Sequence, residues 1–441
     1  MKMQPMLRRL AVLLLLVCTA ATAQAAPKIE RFATPAGIEV WLVREPSIPM
    51  IALQAVWRGG SSVEPDGQEG LAAMAMGLLT EGAGGLDSDA FQNAMRETAV
   101  SLEFSADRDY LTASLRSLTE HRERAFELLK LAMTAPRFDP EPLARAKAQA
   151  LVSWQRGRSN PNTLAGERFA QLAYGSHPYG RRITASAESL ERIDREALAG
   201  FVGRSMARDN LLIGAVGDIE PAELARLVDA SFGSLPATAS VTLPPVVPMR
   251  TADSPEVIPF PNPQSIVLFG APGIARDDPD WYAATLLNQV LGGGGMTSRL
   301  FEEVREKRGL VYSVGTYLSP RKSSWMFAGS LATSNAQVGD ALRLVRDEFS
   351  RIAREGISDD ELADAKAYMT GSFPLRLSSN AAIAGMLVAM RISGLGPDYI
   401  DSYPALIDAV TQDDIRRVAS RLFGEGNLLV VVVGEPAGLG G

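Results

Sequence analysis

The residues best equipped for chemistry in this 441-residue chain are Arg305 and Tyr312. They stand seven positions apart in LGGGGMTSRLFEEVREKRGLVYSVGTY (residues 291–317). A guanidinium and a phenol are both hydrogen-bond donors. Aimed at a developing oxyanion, one such donor is worth about 10²–10³ in rate. Composition alone favours a plainer reading, with FEEVREKRG as an exposed charged helix end and Tyr312 in the core of the next strand. The four glycines 292–295 lack the G-K-[ST] ending of a P-loop and the spacing of a dinucleotide turn. They are expected to let the backbone turn or approach a substrate closely.

Metal ligands are scarce. The chain has two histidines, His121 in TEHRER and His177 in HPYG, and one cysteine, Cys18. A mononuclear catalytic zinc needs about three protein ligands. His121 reads as a solvated side chain in a charged helix start. His177 reads as a turn residue that packs or hydrogen-bonds locally.

The segment around Arg305 and Tyr312 closely resembles the C-terminal half of the pitrilysin (insulinase, mitochondrial-processing-peptidase) family of zinc proteases. The likeness includes the glycine-rich lead, Ser298-Arg299-Leu300 and Arg305 to Leu310. It extends to the HPYG turn, LLIGAVGDI (211–219) and residues 394–423. In that family the Arg–Tyr pair contacts the substrate backbone beside the scissile bond. Catalytic members also carry H-x-x-E-H on a helix, after a G-L-A-like lead. The lead occurs here as Gly70-Leu71-Ala72. Ala73 and Gly77 then occupy the two histidine positions, and Met76 that of the glutamate base. Two histidines at i and i+4 would share one helix face and ligate zinc, and the glutamate would take a proton from metal-bound water. Alanine and glycine have no donor atom, and methionine is no base. The third ligand of the family is a glutamate on a later helix, aligned with 147–165, where KAQALVSWQRGRSNPNTLA has no acid. The resemblance therefore implies a metal-free subunit of a two-chain peptidase. Zinc would be bound by an HxxEH partner and not by this chain, and the substrate would be an unfolded peptide. The alternative is a scaffold or peptide-binding protein of the same fold.

The elements that must position these residues repeat. RDNLLIGAVGDI (208–219) matches EGNLLVVVVGEP (425–436), with Asn210 and Asn427 offset by 427 − 210 = 217. FDPEPLARAKAQAL (138–151) matches ISDDELADAKAYMT (357–370), with Leu143 and Leu362 offset by 362 − 143 = 219. Two matches at nearly one offset predict a tandem duplication. The expected fold is α+β, two homologous sheet-plus-helices domains that form half of a clam-shell chamber. The expected domains are 26–235, with the degenerate metal helix, and 259–441, with the Arg–Tyr pair. A stiff linker at 236–258 joins them, because prolines crowd residues 236–263. Within the first copy, 38–45 and 50–60 read as paired strands, and 70–82 as a helix closed by Gly82. Residues 87–99 and 120–136 read as helices, and 109–118 as a strand.

The first 25 residues read as a secretory signal, with Lys2, Arg8 and Arg9 before the apolar run Leu10–Val17 and a small-x-small site at Ala23-Gln24-Ala25. That run is too short for a membrane anchor of about 20 residues. Removal after Ala25 takes the net charge from −7 to −7 − 3 = −10 and leaves no cysteine. An acidic chain is a poor partner for nucleic acid or anionic membranes. The expected location is outside the cytoplasm, in the periplasm.

Overall fold

Strand β6 (Leu211–Gly217) and strand β11 (Leu429–Gly434) are nearly continuous apolar runs, and every residue of β11 is buried. Such runs belong to strands covered on both faces. They explain the architecture of the computed structural model, which describes residues 28–439 except Asp253. The signal segment lies outside the described residues.

The first half contains β1 (Ile29–Ala33), β2 (Glu39–Arg44), β3 (Met50–Arg58), β4 (Ser101–Ala106) and β5 (Tyr110–Leu118), with β6. Its helices are α1 (Leu71–Leu78), α2 (Ser88–Glu97), α3 (Arg122–Thr134), α4 (Pro140–Gly157), α5 (Pro161–Tyr174), α6 (Ala187–Arg192), α7 (Arg195–Ser205) and α8 (Pro221–Phe232). The second half contains β7 (Glu256–Pro259), β8 (Gln264–Pro272), β9 (Ser313–Pro320) and β10 (Trp325–Ser334), with β11. Its helices are α9 (Trp281–Asn288), α10 (Val338–Glu355), α11 (Asp359–Ser372), α12 (Asn380–Ile392), α13 (Tyr399–Asp408) and α14 (Gln412–Phe423).

The sheets have one topology. The first runs β1-β2-β6-β3-β5-β4 and the second β7-β11-β8-β10-β9. In both, the last strand of the half pairs parallel with the first strand of the shared pattern, β6 with β2 and β11 with β7. All other pairings are antiparallel. The duplication expected from the two offsets is therefore a duplication of fold. Among the described residues, the second sheet has no counterpart of β1, and no helix follows β11 as α8 follows β6.

Two local expectations are corrected. Residues 38–45 and 50–60 are both strands, but they do not pair. β6 inserts between them, because the most apolar strand takes the centre of the sheet. Helix α1 ends at Leu78, short of Gly82, which instead turns the chain at φ +110°. The expected linker 236–258 also loses its end to the second sheet. Residues 256–258 belong to β7, an edge strand, where a proline such as Pro259 costs no ladder bond. Among its described residues the remainder carries no regular structure and is strapped down. His177 Nδ1 accepts from Tyr179 N, so Nε2 bears the proton and donates to Pro245 O at 3.0 Å. Val247 N donates to Ser323 O, and Arg250 N to Ala173 O.

The halves exchange helices. α12, from the second half, lies across β6 and β3 of the first sheet. α5, from the first half, lies across β11 and β8 of the second. Alternation along the strands shows both faces in use. Val40 and Leu42 face the core of the first half, while Trp41 and Val43 join the core built on α12. Val430 and Val432 face helices of their own half, while Leu429, Val431 and Val433 pack on Ala165, Phe169 and Ala173 of α5. Gly214 permits the approach of α12, since a Cβ there would stand 2.8 Å from Ala384 O. Among the described residues, no single helix is long and apolar enough to cross a membrane.

Candidate functional site

Helix α1 is anchored by a buried carboxylate. Glu64 accepts from Ala72 N at 2.7 Å and from Gly70 N at 3.3 Å, two of the donors that a helix N-terminus leaves open. Burial pushes its pKa up to about 8, against the pull of those two N–H groups. Gly70 is held at φ +91°, and a Cβ there would meet Ala185. The sequence drew no attention to Glu64, and a lone acid several residues before a helix is a weak signal.

One face of α1 meets solvent. Ala73 and Gly77 are exposed at i and i+4, and the other side chains of the helix face the core. Both line a cleft of about 430 Å³ between α1 and α4, facing Ala146, Gln149, Ala150 and Ser153. The opposing helix is therefore the one expected to carry a third ligand, and it presents an amide and a hydroxyl there, with no carboxylate. The acid lining this cleft, Glu81, is engaged by Arg145 at 2.6 Å and by Ser88 Oγ at 2.7 Å. Among the described residues, no three of His, Cys, Asp and Glu converge to hold a metal. His121 is partly exposed near Glu120, and His177 is committed to the linker. The residues present do not fit a catalytic zinc. Met76, at the position of a general base, is 1% exposed and points into the core. The cleft keeps the shape of a ligand-bearing helix face without the ligands.

Arg305 and Tyr312 stand on a well-anchored support in the second half. Residues Phe301–Glu306 form a π-helical turn, and Gln289–Gly293 form another. Such turns recur at functional sites. Leu300 and Val304 are fully buried beneath the first. Arg299 fixes the same turn, donating to Glu361 at 2.5 and 2.6 Å and to Glu348 at 3.2 Å. Although burial opposes it, these bonds hold Glu361 down to about 2. Gly292 packs against Thr316, whose hydroxyl donates to Asn288 at 2.8 Å. The close approach at the glycines is thus to the protein's own strand, and Gly295 makes the turn at φ +60°.

The cations of REKR divide. Lys307 and Arg308 bind Glu303, whose carboxyl they hold down to about 2. Arg305 has no carboxylate partner among the described residues, and its guanidinium lies 4.6 Å over the Phe301 ring. Tyr312 is 60% exposed, which corrects the composition-based reading of a core tyrosine. Its backbone N donates to Ala332 O at 2.8 Å, extending the β9–β10 ladder, while buried Val311 and Val314 hold the strand down. The outcome is one guanidinium and one phenol, both presented to solvent and both free to donate. The cleft at Ala73 and Gly77 is lined by residues of the first half alone, so the chain does not bring the two sites into one cavity.

Comparisons with known proteins identify the family. Residues 40–186 match the family model of insulinase (peptidase family M16), and residues 192–369 match that of the peptidase M16 inactive domain. A Streptomyces coelicolor protein named as an uncharacterized zinc protease is 26% identical over 411 residues, covering 92% of this chain and 89% of that one. A Helicobacter pylori protein named non-peptidase homolog YmxG is 27% identical over 331 residues, covering 75% and 76%. The crystal structure of a peptidase M16 inactive domain from Pseudomonas fluorescens superposes with a TM-score of 0.84 at 31% identity, covering 93% of this chain and 98% of that one.

Proposed function

The chain belongs to the M16, or insulinase, family of peptidases, and from that premise we propose that it is the metal-free subunit of a two-chain zinc peptidase. A homologous partner with an HxxEH helix would bind zinc and activate water. This chain would supply Arg305 and Tyr312 in trans, as donors to the peptide carbonyl and to the oxyanion formed from it. The observation that carries the reading is the contrast between the two sites. The exposed face of the metal helix offers no ligand atom, whereas the Arg–Tyr loop is anchored by buried residues and neither its guanidinium nor its phenol has a hydrogen-bond partner among the described residues. A side chain with no internal partner and a fixed backbone is preorganised for an external one. The substrate would be an unfolded peptide enclosed between the two chains. The expected signal segment supports a location outside the cytoplasm, in the periplasm.

The test is reconstitution. The chain alone is expected to cleave no peptide, and addition of the HxxEH partner is expected to produce hydrolysis that a zinc chelator abolishes. A second reading, a scaffold or peptide-binding protein without a role in hydrolysis, draws support from the relative named a non-peptidase homolog. It requires that the partner be equally active without this chain.

A further inference from the structure

A second polar site lies between the two halves, adjoining the α1 cleft through Ile183 and Thr184 and not lined by Arg305. It is a cavity of about 340 Å³ whose walls come from α5, the HPYG turn, β8 and the β9–β10 hairpin. At its floor the Tyr179 ring is flanked by two guanidiniums, Arg108 at 5.8 Å and Arg321 at 5.9 Å from the ring centre. Arg108 is 7% exposed and donates to two neutral carbonyls, Pro178 O at 3.0 Å and Arg181 O at 3.2 Å. Burial, and then the charge of Arg321, bring its pKa down to about 10, against the pull of Asp109. Arg321 has no hydrogen-bond or ion-pair partner for its side chain among the described residues.

The nearby carboxylate, Asp109, is already committed. It accepts from the Tyr179 hydroxyl and from Lys322 N. Glu167, the carboxylate in the cavity wall, is paired with Arg182 at 3.0 Å, which leaves Asp109 beside the Arg108 and Arg321 guanidiniums. Tyr174 is 5% exposed and lines the cavity, and its hydroxyl faces the buried Ser324 hydroxyl, with no other partner for either among the described residues. A pair of hydroxyls that share one contact leaves one donor proton open. The remaining wall mixes apolar and aromatic side chains, Phe169, Tyr317 and Met326, with the polar Thr163 and Thr184.

We propose that this cavity binds a carboxylate of a peptide, seated on Arg321, Arg108 and the Tyr174 hydroxyl, with the adjoining side chain against Phe169 and Tyr317. A guanidinium fork matches a planar carboxylate, and the apolar wall suits the body of an amino-acid residue. The proposal rests on the reading of the chain as a peptide-handling subunit and adds the chemical class that it prefers. Both the free C-terminus and an acidic side chain carry the required group.

The test uses binding to this chain alone, with no partner and no hydrolysis, so that its failure is separable from failure of the trans-complementation reading. The probe is one N-terminally fluorescein-labelled octapeptide of Ala, Ser and Phe, made in three forms. The first ends in a free carboxylate, the second in an amide, and the third in an amide with one internal Asp. Fluorescence anisotropy at low salt is expected to show the first or third form bound about tenfold or more tighter than the second, as charge-assisted hydrogen bonds require. The first form reports the C-terminus as the source, and the third reports the side chain. Arg321→Gln and, separately, Tyr174→Phe are expected to erase that preference. Tyr174→Phe removes a hydroxyl whose one neighbour is the Ser324 hydroxyl, so its melting temperature is expected to stay close to the parent's. Equal affinity for all three forms, or a preference that survives both substitutions, overturns the proposal.

Discussion

Single residues divide this chain into a helix face without ligand atoms and a loop with two exposed donors. Ala73 and Gly77 lie where two ligands would face a cleft, and Met76 lies where a base would stand but is turned into the core. Arg305 and Tyr312 remain exposed and unpaired on a buttressed loop. Restoring Ala73→His, Met76→Glu and Gly77→His is expected to yield no peptidase activity in the isolated chain. The facing residues of α4 supply no third ligand, and a glutamate at 76 would be buried in the core. Zinc-dependent hydrolysis by the triple variant alone would contradict this. A second prediction concerns Glu64. Its folded-state pKa is raised to about 8, so the protonated form favours the fold. That contribution is fully present below the ordinary carboxylate pKa and is lost as pH rises through about 8. Thermal melts from about pH 5 to about pH 8.5 should show the parent losing stability faster than Glu64→Gln, which stays neutral and keeps an acceptor for Ala72 N. Parallel pH profiles would remove Glu64 as the cause.

At the level of elements, the glycines separate close packing from open space. A Cβ at Gly214 would stand 2.8 Å from Ala384 O and 2.9 Å from Leu387 Cβ, so Gly214→Val pushes α12 off the first sheet. The expected cost is about 1–3 kcal/mol in chemical denaturation. Gly77 meets nothing within 4 Å, and Gly77→Ala in helix α1 is expected to stabilise by up to about 1 kcal/mol. If both changes proved neutral, neither packing assignment would hold. Much of the element-level picture was legible beforehand. The offsets of 217 and 219 revealed the duplication because strands β6 and β11 and helices α4 and α11 are local patterns. The Arg–Tyr segment was legible through its resemblance, and the empty metal helix through the absence of histidine. Pairing was not legible. Two strands separated by a short loop suggested a hairpin, and nothing local announces that β6 comes to lie between them. The exposure of Tyr312 was hidden for a related reason, since periodicity shows that a strand has two faces but not which one is covered. The cationic cavity escaped notice because Arg108, Tyr174 and Arg321 are distant in sequence and meet only across the junction of the halves.

The whole molecule is held together by exchange. α5 covers the second sheet and α12 the first, so neither half contains all the helices that cover its own strands. Leu387 and Val388 of α12 and Ala165 of α5 are almost completely buried in these contacts. Burying a large apolar side chain contributes about 1.5–3 kcal/mol. A break within the linker is therefore expected to leave two insoluble fragments when 26–250 and 251–441 are produced separately, and a soluble complex when they are produced together. A cooperative melt from either fragment alone would show the halves to be independent. The same architecture frames the proposed division of labour. The rigid pairing of the halves leaves the Arg–Tyr loop of the second fixed in space, ready for a site built on another chain. The most direct test compares peptide hydrolysis by the HxxEH partner mixed with this chain or with its Arg305→Ala and Tyr312→Phe variants, with assembly checked by size-exclusion chromatography. Each substitution is expected to leave the complex assembled and to lower turnover by about 10²–10³, the worth of one oxyanion donor. Full turnover with both variants in an intact complex would contradict the assignment of these two side chains to catalysis in trans.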